Sequence, residues 1–327
     1  MTRVGAIDCG TNSIRLLIAD VAAGGLTDVH REMRIVRLGH GVDATGRIGA
    51  EPMARTLAAA ADYAALCEEA GCESVRFVAT SASRDAANAD EFVAGVTEVF
   101  ASFGTSPEVV SGQEEAQLSF TGATTGLTGG RAPYLVVDIG GGSTEFVRGD
   151  GAVEQSASVD IGCVRMTERH LRSDPPSEAE IWPALGDITM AVNTAAEAVD
   201  FSGVGTLVGV AGSVTTVTAH ALRLDSYDSA RIHGAEIPVE QAIAACTELV
   251  QMSRADRAAL PYMHEGRVDV IGAGALVWRS IIQRVQHDSG LTTVRASEHD
   301  ILDGIALSQA APAQPSVPGL NKLMIRH

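Results

Sequence analysis

Lysine is almost missing from this chain. Its 24 basic residues are 23 arginines and a single lysine, Lys322. Aromatic residues make up only 4%. The five cysteines (Cys9, Cys67, Cys72, Cys163, Cys246) form no Cys-x-x-Cys pair. An odd, scattered set supports neither a zinc site nor a disulfide framework. No apolar run reaches the ~18 residues that a membrane helix needs. No basic segment leading into an apolar core precedes the first strand, so the expected compartment is the cytoplasm, with no membrane partner. Gly-x-x-x-x-Gly-Lys-Ser/Thr does not occur, which removes the P-loop class. His264-Glu265 lacks a second His four residues on, which removes the zinc-protease motif.

Positive charge is also short. With 41 acidic residues the net charge is −17, which excludes a general nucleic-acid binder. A polyanionic substrate is not excluded, because exposed charges beyond ~10 Å are largely screened at ordinary salt. A local basic cleft with bound metal still captures phosphate, and arginine offers a planar fork suited to phosphate oxygens. The arginine excess is compositional, so only arginines beside motifs carry functional weight.

What the chain does have is aliphatic. At 327 residues and 46% hydrophobic, it is long enough for two domains of ordinary size. An α/β protein cored by Ala, Val, Leu and Ile is expected.

Two glycine-hinged acidic loops stand out, Asp8-Cys9-Gly10-Thr11-Asn12-Ser13 and Asp138-Ile139-Gly140-Gly141-Gly142-Ser143-Thr144. They lie 130 positions apart (138 minus 8). Each is flanked by short apolar runs, which reads as strand, tight turn and strand, written twice. Glycine permits the bend and exposes N–H groups to an anion. Ser and Thr add hydroxyl donors. The Asp at each turn suits a hydrated divalent cation beside phosphate. Two such loops, one per half-chain, suggest a phosphate gripped between related lobes.

The first half reads as a hairpin over 4–20, a strand near 34–38, a helix over 51–70, a strand at 75–79, a helix over 87–100, a strand at 108–110 and a helix from 113. The Gly/Thr-rich stretch 121–133 is the expected hinge. The second half reads as strands at 135–139, 145–148 and 153–159, then helices over 164–171 and 177–199. A strand at 207–210 ends in Ala211-Gly212-Ser213, which with Val214 resembles the close strand-to-helix turns that accommodate a nucleotide or phosphate chain. Helices follow over 239–252 and 268–285, then a strand at 293–296 and a helix over 300–309. Domains are expected at 1–125 and 126–311, with the last helix packing back on the first. A Pro-rich, frayed tail is expected over 312–327.

Glu114-Glu115 lies at a helix start, where acids complement the helix dipole. The pair also immediately precedes the hinge, where one carboxylate facing a cleft would activate a water attacking phosphorus. Glu145 follows the second glycine loop and would position water or metal. Thr80-Ser81-Ala82-Ser83-Arg84 reads equally as a helix cap and as a phosphate cradle. Arg165 and Arg267 follow glycines and stand as weaker phosphate candidates.

Taken in order, these motifs resemble the exopolyphosphatase / guanosine pentaphosphate phosphohydrolase family, a branch of the actin, sugar kinase and heat-shock chaperone ATPase superfamily. The matching segments are Ala6 to Arg15, Ala79 to Arg84, Ser111 to Ala116, Asp138 to Glu145, Gly162 to Arg165, and Ser297-Glu298. The resemblance spans about residues 3–308. It implies two ribonuclease-H-like lobes around an interdomain active cleft. It implies Glu115 as the residue activating water, Glu145 as its assistant, and Asp8 and Asp138 facing Mg²⁺. Phosphates would be held by Thr11, Asn12, Ser13 and Arg84 and by Gly140, Gly141, Gly142, Ser143 and Thr144. The implied substrate is inorganic polyphosphate, alternatively guanosine pentaphosphate, and the implied assembly is a homodimer.

Cys9 stands where Leu or Ile is usual, with its side chain expected to point away from phosphate. Leu302 stands where a basic residue is common, which weakens substrate contact by the last helix. The long C-terminal extension of larger members is lacking, which implies a reduced grip on polymer. Two other classes fit less well. A kinase or ATPase needs ATP held by the second lobe, and a non-catalytic sensor has no need of both glutamates.

Overall fold

The computed structural model describes residues 1–22 and 25–309. The expected tail over 312–327 lies outside them. Two sheets organise the chain. The first contains β1 (Thr2–Cys9), β2 (Ser13–Ala22), β3 (Gly25–Ile35), β4 (Ser74–Ala79) and β5 (Glu108–Val109), in the order β3-β2-β1-β4-β5. The second contains β6 (Tyr134–Ile139), β7 (Thr144–Gly149), β8 (Val153–Val159), β9 (Thr206–Val210), β10 (Glu236–Pro238) and β11 (Thr293–Ala296), in the order β10-β11-β9-β6-β7-β8. Read from β8, the series β8-β7-β6-β9-β11 repeats the first order, and β10 adds an antiparallel edge. Both sheets open with two antiparallel pairings and continue in parallel.

The helices of the first half are α1 (Val42–Thr45), α2 (Ala50–Glu69), α3 (Ser81–Asp85), α4 (Ala89–Val99) and α5 (Gly112–Thr124). Those of the second are α6 (Cys163–His170), α7 (Glu178–Ala198), α8 (Ala211–Ala221), α9 (Ser229–Ile232), α10 (Val239–Gln251), α11 (Arg254–Ala258), α12 (Ile271–Ser289) and α13 (Ile301–Ser308). None is long and apolar enough to cross a membrane.

Alternation along the central strands sorts side chains onto two faces of each sheet. On β1, Ile7 and Cys9 bury against α2 and α4 with Tyr63, Phe77, Phe92 and Phe100, while Val4 and Ala6 bury against Ile301, Leu302 and Ile305 of α13. On β6, Leu135, Val137 and Ile139 join the core around Trp278 of α12, while Val136 packs with Ala116 and Phe120 of α5. Helices α5 and α13 therefore lie between the sheets, and they touch. A Cβ on Gly122 would stand 1.7 Å from the Asp300 carbonyl oxygen, and one on Gly304 2.0 Å from that of Leu118. Only glycine allows backbones to approach so closely.

Most expected elements appear within a few residues. Helix α7 opens with a capping box in which Ser177 and Glu180 satisfy each other's end of the turn. Short α1, α9, α11 and β10 were not expected, and other segments also differ. Only residues 34–35 of the strand expected at 34–38 are strand, as the end of a long β3. Helix α5 runs to Thr124, into the expected hinge, because its apolar face packs on the second sheet. Thr80–Arg84 leads into a short helix, α3. A full helix, α8, follows β9 despite its run of β-branched residues.

Candidate functional site

Each glycine loop closes in the same way. Gly10 N–H donates to the Ser13 carbonyl at 3.0 Å, and Gly140 N–H to the Ser143 carbonyl at 3.0 Å. None of Gly10, Gly140, Gly141 and Gly142 has a positive φ. Two of them, Gly141 and Gly142, are needed for clearance instead. A Cβ on Gly141 would lie 2.7 Å from Thr11 Cβ, and one on Gly142 2.7 Å from Ser81 Oγ. The two loops thus abut across the lobes, and two of the three consecutive glycines have a packing reason.

Between the loops lies a cleft of ≈ 100 Å³ that brings together Asp8, Thr11, Asn12, Ser13, Glu115, Asp138, Gly140, Gly141 and Ser143. A wider space of ≈ 420 Å³ adjoins it, sharing Arg15, Met33, Ala211, Gly212 and Arg267.

The hairpin registers place the charged groups. Asp8 stands opposite Arg15 on β1 and β2, and Asp138 stands opposite Glu145 on β6 and β7. Arg15 donates to Asp8 Oδ2 from Nη2 at 2.6 Å and from Nε at 2.9 Å, and it also pairs with Asp300, the N-cap of α13. Asp138 accepts from Ser119, one turn beyond Glu115 on α5. Glu145 is buried behind the cleft and accepts from Ser158 Oγ at 2.8 Å. The expected Glu pair divides its roles. Glu114 is exposed and bridges to Arg76 at 2.9 Å, whereas Glu115 is buried and takes Arg84 Nη1 at 3.2 Å.

These carboxylates are crowded out of water. Burial, assisted by Asp138 and Asp8 and opposed by Arg84, pushes Glu115 up to about 8. Burial, with Asp300 and Asp8 adding, raises Asp138 to about 7. Burial also raises Asp8 against the pull of Arg15. Burial, with Glu115 and Asp138 beside it, holds Glu145 well above the usual range. Burial acts the same way on Asp300, yet Arg15 and the Leu302 amide hold it below. Such clusters of shifted acids mark functional sites.

Thr144, expected at phosphate, instead donates its hydroxyl to the Ile161 carbonyl at 2.6 Å and does not line the cleft. Gly142 faces Ser81, and its carbonyl accepts from Arg165 Nη1 at 2.8 Å. Arg165 also reaches Asp43 of α1 and Asp85 of α3. It ties the second loop to the first lobe and has no free donor face for phosphate. Arg267 does line the cleft and donates to Thr216 Oγ1 at 3.1 Å. Cys9 is buried in the first core, turned from the cleft as expected. Arg15, Ser119, Ser158 and Asp300 had no assigned role in the sequence. Ser119 was findable, four residues after Glu115 on one helical face. Asp300 was not, because only the packing of α13 brings it to Arg15.

The model of the Ppx/GppA phosphatase family matches residues 17–309. This chain belongs to the Ppx/GppA phosphatase family. It is 50% identical over 316 residues to exopolyphosphatase 2 of Mycobacterium tuberculosis, covering 95% of this chain and 99% of that protein. Among solved structures, an exopolyphosphatase-like protein superposes with TM-score 0.90 at 43% identity, covering 94% of this chain and 97% of that one. The Aquifex aeolicus PPX-GPPA enzyme superposes with TM-score 0.77 at 29% identity, covering 94% and 99%. In this member of the Ppx/GppA phosphatase family the two glycine loops and the buried acids meet between the two sheets.

Proposed function

We propose that the protein is an Mg²⁺-dependent exopolyphosphatase that releases terminal orthophosphate from inorganic polyphosphate. One observation carries this reading: Glu115, a buried carboxylate raised to about 8, opens onto the cleft between two phosphate-type loops. The 50% identity to a protein named exopolyphosphatase 2 supports the choice of substrate. The adjoining ≈ 420 Å³ space gives a phosphate chain room to continue past the cleft.

Glu115 orients the water and takes its proton as the oxygen attacks the terminal phosphorus, and the bridging oxygen leaves with the shortened chain. Arg84 holds Glu115 in place, and Ser158 holds Glu145 behind it. The loop amides and the Thr11 and Ser13 hydroxyls grip phosphate oxygens. The donor set fits a hard cation. Asp8, Asp138, Glu115 and Glu145 outnumber the nearby Arg15 and Arg84, and burial, the first cause of their raised pKa values, makes their ionised forms costly without a cation. Among the described residues no group of three or more His, Cys, Asp or Glu side chains forms an ion site alone. Asp8 and Asp138 would therefore hold Mg²⁺ jointly with phosphate oxygens and water, the mode this ion favours. When bound, the ion would neutralise phosphate charge.

The proposal includes a cytoplasmic homodimer and a division of the chain near residue 125, with α13 counted with the first lobe. The test is orthophosphate release from short polyphosphate, long polyphosphate, guanosine pentaphosphate and ATP, each titrated with Mg²⁺. Polyphosphate is expected to be the fastest. Preferred release from guanosine pentaphosphate would reassign the substrate. Glu115→Gln is expected to lose about 10²–10⁴-fold in kcat while staying folded, and near wild-type turnover would refute its role.

A further inference from the structure

Cys67 and Cys72 occupy the two contacting positions of the motif that ends α2. Ala70 caps the helix and Gly71 follows with φ 70. Cys72 N–H donates to the Cys67 carbonyl at 3.0 Å, and Gly71 N–H to the Glu68 carbonyl at 3.0 Å. That is the Schellman pairing, in which the side chains at these two positions meet beside the helix end. The contact is commonly apolar, but here both partners are thiols. Cys67 is buried under β1, its Sγ 2.8 Å from where a Cβ on Gly5 would sit. Cys72 is half-buried and reachable from solvent. Arg3 attends the same helix end, donating to the Ala70 carbonyl at 3.2 Å while paired with Asp20.

We propose that Cys67 and Cys72 form a peroxide-sensitive dithiol that closes to an intrachain disulfide. The Cys67 contact, with Arg3 adding, holds the Cys72 thiol below its ordinary value, so Cys72 is the nucleophile. Its thiolate attacks a hydroperoxide, the O–O bond breaks, and Cys72 becomes a sulfenic acid as the alcohol or water leaves. Cys67 then attacks that sulfur, its proton going to the departing hydroxide, and the S–S bond forms with loss of water. Two thiols are oxidised and one peroxide is reduced. The pair sits at the Arg3 end of β1, and the cleft at the Cys9 end, so hydrolysis is expected to continue in both states.

Both cysteines fall in one tryptic peptide, residues 56–76, which contains no other cysteine. After hydrogen peroxide treatment of the folded protein, this peptide is expected to lose the mass of two hydrogens and to regain it with dithiothreitol. Cys67→Ser should instead leave a sulfenic acid at Cys72 that dimedone traps, and Cys72→Ser should leave neither product. An unchanged wild-type peptide, or bridges to Cys9, Cys163 or Cys246, would overturn the proposal.

Discussion

Asp138 and Glu145 stand directly opposite each other on β6 and β7. In the first lobe the same two positions, 130 residues earlier (138 minus 8 and 145 minus 15), hold Asp8 opposite Arg15. One repeat therefore neutralises its loop carboxylate and the other doubles the charge. Like charges directly opposite destabilise a sheet, so the second pair serves the site rather than the fold. Glu145→Gln is expected to raise Tm in metal-free alkaline buffer and to lower kcat at least about tenfold. A variant that is no more stable than wild type there would contradict this account.

Arg84 both holds Glu115 and lowers its pKa. Arg84→Ala should cost about 10–100-fold in kcat/KM, the scale of a charge-assisted hydrogen bond. It should also move the acidic limb of the pH–rate profile to higher pH, because Glu115 loses a stabilising cation. A limb that stays in place or moves down would separate Arg84 from Glu115.

Metal-free stability should fall as pH rises. Glu115 is raised to about 8 from 4.5, and Asp138 to about 7 from 3.8. The folded protein thus binds these protons more tightly than the unfolded chain. The stability they contribute is present below the unfolded values and is lost as pH climbs through the folded ones. Calorimetry between about pH 5 and about pH 8 should show Tm declining. Mg²⁺ should restore it at the upper end and change little at the lower, with equal ionic strength of NaCl as the control. A flat Tm in metal-free buffer would argue against the charged cluster.

Gly122 and Gly186 should respond in opposite directions to alanine. A Cβ on Gly122 meets the Asp300 carbonyl, whereas exposed Gly186 of α7 has nothing within 4 Å. Gly122→Ala should destabilise by at least about 1–3 kcal/mol and reduce turnover, since it separates α5, which carries Glu115, from α13. Gly186→Ala should stabilise by roughly 0.5–1 kcal/mol with unchanged turnover. Denaturant titration of both variants checks this, and a benign Gly122→Ala would dismiss the close crossing.

Much of the site was legible because its parts are local. Asp8, Asp138 and Glu145 sit in or beside loops whose turn chemistry shows in a few adjacent residues. Glu115 follows a Ser111 cap that marks the helix start, and Ser111 Oγ accepts from the Glu114 amide at 3.2 Å. The turn of the Thr144 hydroxyl toward the Ile161 carbonyl was not legible because a hydroxyl in a loop looks the same in sequence whether it faces ligand or core. The extent of helix α8 was not legible behind its strand-to-helix turn because Val214, Thr215, Thr216, Val217 and Thr218 carry a poor helix signal. Burial of Val214 and Val217 against the second core overrides that propensity.

The sequence by itself determined the two strand–loop–strand units, the acids at their turns and the aliphatic cores on which they rest. These follow from alternation, capping and glycine placement over short spans. The tertiary structure decided which carboxylates meet. Asp300 joins Arg15 across 285 positions because α13 returns to the first sheet and crosses α5 at two glycines. Burial then turned ordinary carboxylates into groups that hold protons near neutral pH, since desolvation depends on what covers a side chain and not on its neighbours in sequence.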